Sequence, residues 1–158
     1  MDIATGKAGG LSYDVAAAFQ GKYYLAAFGS STPTAAEYTV AGLTNPSGSG
    51  ILARVRKIFV IPAAVMDISI GTTSIDYTVS TPTQYNQLIG GANPIAKPYA
   101  GHNAAPSIGI HRTFFAVPTT GLLIDNIDTI YIGGFHFIVV GSIVNTGLSG
   151  YIYWSEGS

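Results

Sequence analysis

Alternation of apolar and polar positions dominates this chain. Met66-Asp67-Ile68-Ser69-Ile70 steps between the two classes, and Thr73-Ser74-Ile75-Asp76-Tyr77-Thr78-Val79-Ser80 repeats the step with Ile75, Tyr77 and Val79 on one side. Successive side chains of a strand point to opposite faces, so both segments read as strands with one face in a core and one in water. Residues 51–60 form a longer run in which Ile51, Ala53 and Val55 share a face until Arg56-Lys57, after which Ile58 and Val60 take over. A phase change of this kind predicts a β-bulge or a change of sheet environment within one long strand, which Pro62 ends. Further strands are predicted at 25–28, 38–43, 108–117, 122–124, 129–132, 135–144 and 150–154. The one helical piece is 13–20, around Val15-Ala16-Ala17-Ala18-Phe19.

No helical period runs far, and 20 Gly and 8 Pro, with many Ser, Thr and Asn, interrupt the chain. Turn signals every 8–12 residues or so are the spacing of a sandwich or barrel. The pattern predicts a single all-β domain over 1–158, an antiparallel jelly-roll-like β-sandwich of about eight strands. An immunoglobulin-type Greek key is the alternative, without its Cys…Trp…Cys signature. Residues 81–107, with Pro82, Gly90-Gly91, Asn93-Pro94, Pro98 and Pro106, read as one long irregular loop, and 1–22 as an N-terminal arm.

Charge changes the picture. Seven Lys or Arg and eight Asp or Glu make 9% of the chain, against about 25% in ordinary soluble domains. A monomer of this size exposes roughly 7,500 Å², so charged groups are sparse enough to suggest that part of the surface is covered by neighbours. Residues 129–155 and 77–96 carry no formal charge; the first is expected in the core and a subunit interface, the second against a partner. The net charge of −1 offers no field for nucleic acid. The N-terminus lacks a signal-peptide pattern. The apolar run 130–144 is too short and too interrupted for a spanning helix, so no membrane partner is expected.

Candidate chemistry is thin. The absence of cysteine removes disulfides, thiol nucleophiles and Cys-ligated zinc. His102, His111 and His136, even with Asp125 or Asp128, lack metal-ligand spacing and read as surface or interface hydrogen-bonding groups. Asp67 with Asp76, or Asp125 with Asp128, would be the acid–base pairs of a glycosidase-like site, but Asp125-Asn126-Ile127-Asp128 reads more simply as a turn. Thr44-Asn45-Pro46-Ser47-Gly48-Ser49-Gly50 lacks the Lys-Ser/Thr and the helix of a phosphate loop, and reads as a turn too. No catalytic residue, metal or cofactor is assigned. Arg54, Arg56 and Lys57 concentrate three of the seven basic residues; Arg54 and Arg56, at period 2, suit a polar ladder between strands or subunits. Tyr151, Tyr153 and Trp154 form the densest aromatic group with Tyr23-Tyr24 and read as core or interface packing.

Leu43-Thr44-Asn45-Pro46-Ser47-Gly48-Ser49-Gly50 running straight into a long strand resembles a pattern in small virion proteins of tailed bacteriophages. The closing Tyr151-Ile152-Tyr153-Trp154-Ser155-Glu156 is similar to the aromatic final strand of such proteins. The resemblance covers 43–60 and 150–156 and is only compositional elsewhere. It implies a jelly-roll capsid decoration or head-fibre protein, commonly trimeric, with no catalytic residues. The resulting expectation is a non-enzymatic homotrimer on the outer surface of the phage particle that binds the major capsid protein lattice and stabilises the head. Arg54, Arg56, Lys57, Tyr99, Tyr151, Tyr153 and Trp154 are its interface candidates. The alternative is a tail or fibre module that binds a host surface glycan through exposed aromatics such as Tyr99. A cupin-like enzyme comes third, for want of metal-spaced histidines.

Overall fold

The computed structural model describes residues 13–29, 33, 35–77, 82–109 and 111–157. A short helix, α1 (Tyr13–Phe19), precedes eleven strands. They are β1 (Tyr23–Gly29), β2 (Tyr38–Thr44), β3 (Leu52–Pro62), β4 (Met66–Thr73), β5 (Gln84–Asn86), β6 (Lys97–Asn103), β7 (His111–Val117), β8 (Leu122–Ile124), β9 (Thr129–Tyr131), β10 (His136–Gly141) and β11 (Leu148–Gly157). One sheet runs β5-β1-β11-β3-β8, with β9 also on β3; the other runs β6-β2-β10-β4-β7. All pairings are antiparallel.

The pairs nest: β1 with β11, β2 with β10, β3 with β8 and β9, β4 with β7. A long hairpin rolled so that alternate rungs fall in opposite sheets produces this order, which is the jelly roll expected from the alternation. The count exceeds eight for two reasons. The predicted 122–132 strand pair lies end to end along β3, and the supposed loop 81–107 contributes β5 and β6. These return to the free edges of β1 and β2, so the described part of this segment is docked on its own chain. Glu156 holds it there. Its buried carboxylate accepts from Ile95 N (2.9 Å) and Ala96 N (2.7 Å), and Trp154 Nε1 donates to it at 3.4 Å. Charge-assisted bonds from backbone amides are what make a buried carboxylate tolerable.

Most strand ends shift by a few residues from the sequence reading, and the largest change is at β4. β4 runs unbroken through Gly71 and stops at Thr73, so the alternating stretch from Thr73 does not continue as a strand: 74–77 bend away, with Ile75 exposed. Residues 78–80 lie outside the described set, as does most of the proposed N-terminal arm. The helix at 13–19 is present and buries Ala16 and Ala17.

The phase change in β3 is a bulge. Tyr153 pairs with Lys57 and Trp154 with Val55, leaving Arg56 unpaired on that side. On the opposite side, 125–128 step out between β8 and β9 at the same level, with Ile127 N donating to Arg56 O at 3.2 Å. Asn126 and Asp128 adopt φ of 52°, and Asn126 N donates to Asp125 Oδ1 at 2.8 Å, so this is the expected turn.

Between the sheets lie Trp154, Tyr24, Phe137, Leu43, Ile58, Ile68 and Ile152, all essentially inaccessible. Each fully buried apolar side chain of this size contributes about 1.5–3 kcal/mol. Tyr24 stacks on Trp154 with centroids 5.6 Å apart, and its hydroxyl donates to Gly21 O. Burial, with Glu156 nearby, pushes the Tyr24 phenol up to about 12.

Candidate functional site

The interface candidates fall into three groups. Trp154 and Tyr99 are fully buried within the chain, so neither offers a surface. Trp154 is core. Tyr99 lies across Gly42 of the neighbouring strand and donates its hydroxyl to Phe137 O at 3.0 Å; desolvation, with Asp76 adding, raises its phenol far above the ordinary range. Arg54 and Arg56 converge on Asp128 Oδ1 of the same chain, Arg54 Nη2 at 3.4 Å. They form a polar ladder within the chain. Lys57, Tyr151 and Tyr153 remain on the outer face of the first sheet, where Lys57 Nζ lies 4.9 Å from the Tyr153 ring centroid.

That face is the larger surface feature. Cross-strand partners place Ala27, Tyr151, Phe59 and Leu123 in one row and Tyr85, Leu25, Tyr153 and Lys57 in the next. Tyr85, Leu123 and Tyr151 are about half exposed, at 57%, 54% and 45%. Within these two rows the charge is confined to Lys57.

The second feature is a cleft of about 610 Å³ at one end of the other sheet. Register places Lys97, Thr44, His136 and Thr73 side by side across β6, β2, β10 and β4. The turn after β2 and the turn before β10 close one wall, and Gly134 N donates to Asn45 O at 2.8 Å to join them. Asn45, wholly buried, braces this corner. Its Nδ2 donates to Ile51 O (3.0 Å) and Tyr131 O (2.8 Å), while Ser49 Oγ donates to its Oδ1 (2.7 Å). Asp76 enters from the bend after β4, and Thr44 Oγ1 donates to it at 3.5 Å.

His136 corrects the sequence reading. It is 5% exposed, not a surface group, and its Nδ1 has no hydrogen-bond partner among the described residues. Strand parity puts it opposite Phe137 and Val139, on the face where a second apolar cluster of Val40, Tyr99 and Ile138, packed by Tyr77 and Ile108, lies. Desolvation holds the His136 imidazole below its ordinary value, partly opposed by Asp76. A group that binds fewer protons folded than unfolded makes stability fall as pH drops. Stability contributed by His136 is therefore expected intact above its unfolded pKa of about 6.5 and lost progressively below it. Thermal midpoints of wild type and His136→Gln across pH 7.5 to 5.5, roughly spanning that value, should converge on acidification. Parallel curves would contradict this.

Among the described residues the other ionisable groups do not assemble into a site. Asp67 caps Ala116 N (2.9 Å) at the start of β4, the far end from Asp76. Asp128 is held by the two arginines. His102 lies 3.8 Å from Glu37, and His111 contacts Gly109 O. Among the described residues no three His, Asp or Glu side chains are grouped to hold a metal, and no helix is long and apolar enough to cross a membrane. Asn45, Asp76, His136 and Glu156 were missed as architectural residues. For Asn45 the signal was its place before Pro46; for the others the partners are too distant in sequence to be read. No protein-family model, curated protein or solved structure matches this chain.

Proposed function

We propose that this protein is a structural subunit that works by burying the outer face of its β5-β1-β11-β3-β8 sheet against protein neighbours, as a homotrimeric capsid decoration protein on the outside of a tailed-phage head. The observation that carries the reading is that face: a five-strand apolar and aromatic surface, formed by Tyr85, Leu25, Ala27, Tyr151, Phe59 and Leu123, with Lys57 laid on Tyr153. Aromatic and aliphatic residues with few charges are the composition of an interface centre. The whole chain exposes 7628 Å² and carries only 15 formally charged residues. The likeness of 43–60 and 150–156 to phage virion proteins supplies the kind of neighbour. Many copies bound to an assembled lattice more tightly than to free subunits would stabilise the shell by mass action.

The test is mass in solution followed by binding to expanded empty capsids. Wild type should sediment as a trimer at micromolar concentration and bind capsids saturably. Leu123→Lys with Tyr151→Lys, which puts two charges on the face, should give a monomer with an unchanged far-UV spectrum and at least about tenfold weaker capsid binding, as loss of a 1.4 kcal/mol contact requires. A wild-type protein that stays a folded monomer would sink the trimer. Failure to bind any capsid would sink the decoration role.

A further inference from the structure

The cleft beside His136 plays no part in that association, since it opens on the other sheet. It is a built feature. Two turns tied by the Gly134 N to Asn45 O bond form one wall, and the buried Asn45 fixes their position through three further bonds. Three strands in register, β6, β2 and β10, present Lys97, Thr44 and His136 along its base. Ser47, Ser74 and Asp76 complete the polar lining. His136 adds its imidazole to this lining, with Nδ1 closed to solvent and unpartnered among the described residues. Several polar groups converging on a braced frame, in a concavity of this size, are the usual makings of a small-molecule site.

The charges narrow the occupant. Asp76 supplies one negative charge and Lys97 one positive, and burial keeps His136 neutral near pH 7. A free anion would meet Asp76, and a metal ion would meet Lys97 with too few ligands. The remaining groups are hydroxyls that both donate and accept. A neutral molecule carrying several hydroxyls matches this set: adjacent hydroxyls donate to a carboxylate while ammonium and serine groups donate in return. We infer that this cleft binds a neutral saccharide unit, with Asp76 accepting from two adjacent sugar hydroxyls and Lys97, Ser47 and His136 completing the contacts. The volume of about 610 Å³ lies within the range of small-molecule sites. This role is independent of the sheet-face association and adds a ligand to it.

Titration of the ¹⁵N-labelled full chain with glucose, galactose, mannose and N-acetylglucosamine, backed by a glycan array, tests the assignment. At least one sugar should shift the amides of Ser47, Ser74, Asp76, Lys97 and Gly134 saturably in the millimolar range. Asp76→Asn should weaken that binding about tenfold or more, the loss of one charge-assisted bond, and Lys97→Ala should weaken it too. The Leu123→Lys, Tyr151→Lys protein should bind the sugar unchanged, which separates this site from the assembly face. The inference is overturned if no sugar gives saturable shifts, if Asp76→Asn binds as tightly as wild type, or if inorganic phosphate or zinc shifts these amides while the sugars do not.

Discussion

Gly150→Ala is expected to abolish folding rather than weaken it. Gly150 sits in β11, paired with Phe28 on one side and Val60 on the other. A methyl group here would stand 1.8 Å from Phe59 O and 3.2 Å from the Phe28 ring. The obstacle is backbone of a central strand, so relief requires β3 and β11 to separate, and β11 also carries β1. The cost should exceed about 4–5 kcal/mol, the range reserved for disrupted cores, which matches the lower end of the 5–15 kcal/mol or so that holds a domain. Gly157→Ala, with nothing within 4 Å of the added carbon, is the matched control and should change stability by less than about 0.5 kcal/mol. Far-UV circular dichroism and urea unfolding of the two proteins decide it; a Gly150→Ala protein with a wild-type urea midpoint would refute the argument.

Asn45→Asp should be the most damaging conservative exchange in the turns. The amide nitrogen it removes serves two backbone carbonyls, Ile51 O and Tyr131 O, in a site closed to water. A carboxylate would set an oxygen against both. Two acceptors stripped of their donor cost about 1–3 kcal/mol each, and the desolvated charge adds to this, so a deficit of about 3 kcal/mol or more is expected at neutral pH. Protonation restores one donor. The new carboxyl therefore has a folded pKa above its unfolded value of about 3.9, and the deficit should shrink as pH falls from the folded pKa toward that value. Urea midpoints at several pH values measure this. A deficit under about 1 kcal/mol, or one that does not change with pH, would show that Asn45 is not the brace described.

Much of the jelly roll was visible in alternation, because period 2 survives wherever one sheet face is apolar. The bulge at Arg56 was readable for the same reason: the inward set switches from Val55 to Ile58 within a single run. The alternation from Thr73 to Ser80 misled because a pattern states which faces differ, not whether a partner strand lies alongside; β10 pairs with β4 only as far as Thr73. β5 and β6 could not be read, since the Gly and Pro between 81 and 107 that signal a loop also frame short edge strands. The cleft was hidden for a related reason. His136 and Asp76 are sixty positions apart along the chain, and only the rolling of β4 beside β10 brings their neighbourhoods together. Tyr99 looked like an exposed ring because nothing in its own segment shows that Gly42 leaves a notch for it.

The borders of the first sheet decide how this molecule can join others. One border is β5, three residues long. The other is β8 and β9, also three residues each, parted by the outward step at 125–128 with its left-handed Asn126 and Asp128. Such short, broken borders give an incoming strand little ladder to extend, and natural sheets use both devices against edge-to-edge pairing. Lateral growth into a continuous sheet is thus discouraged, while the broad face is left open. Contacts through this sheet would then be made flank to flank by side chains, which come apart and re-form without unzipping any backbone. Under the association proposed above, copies would join a finished surface one at a time.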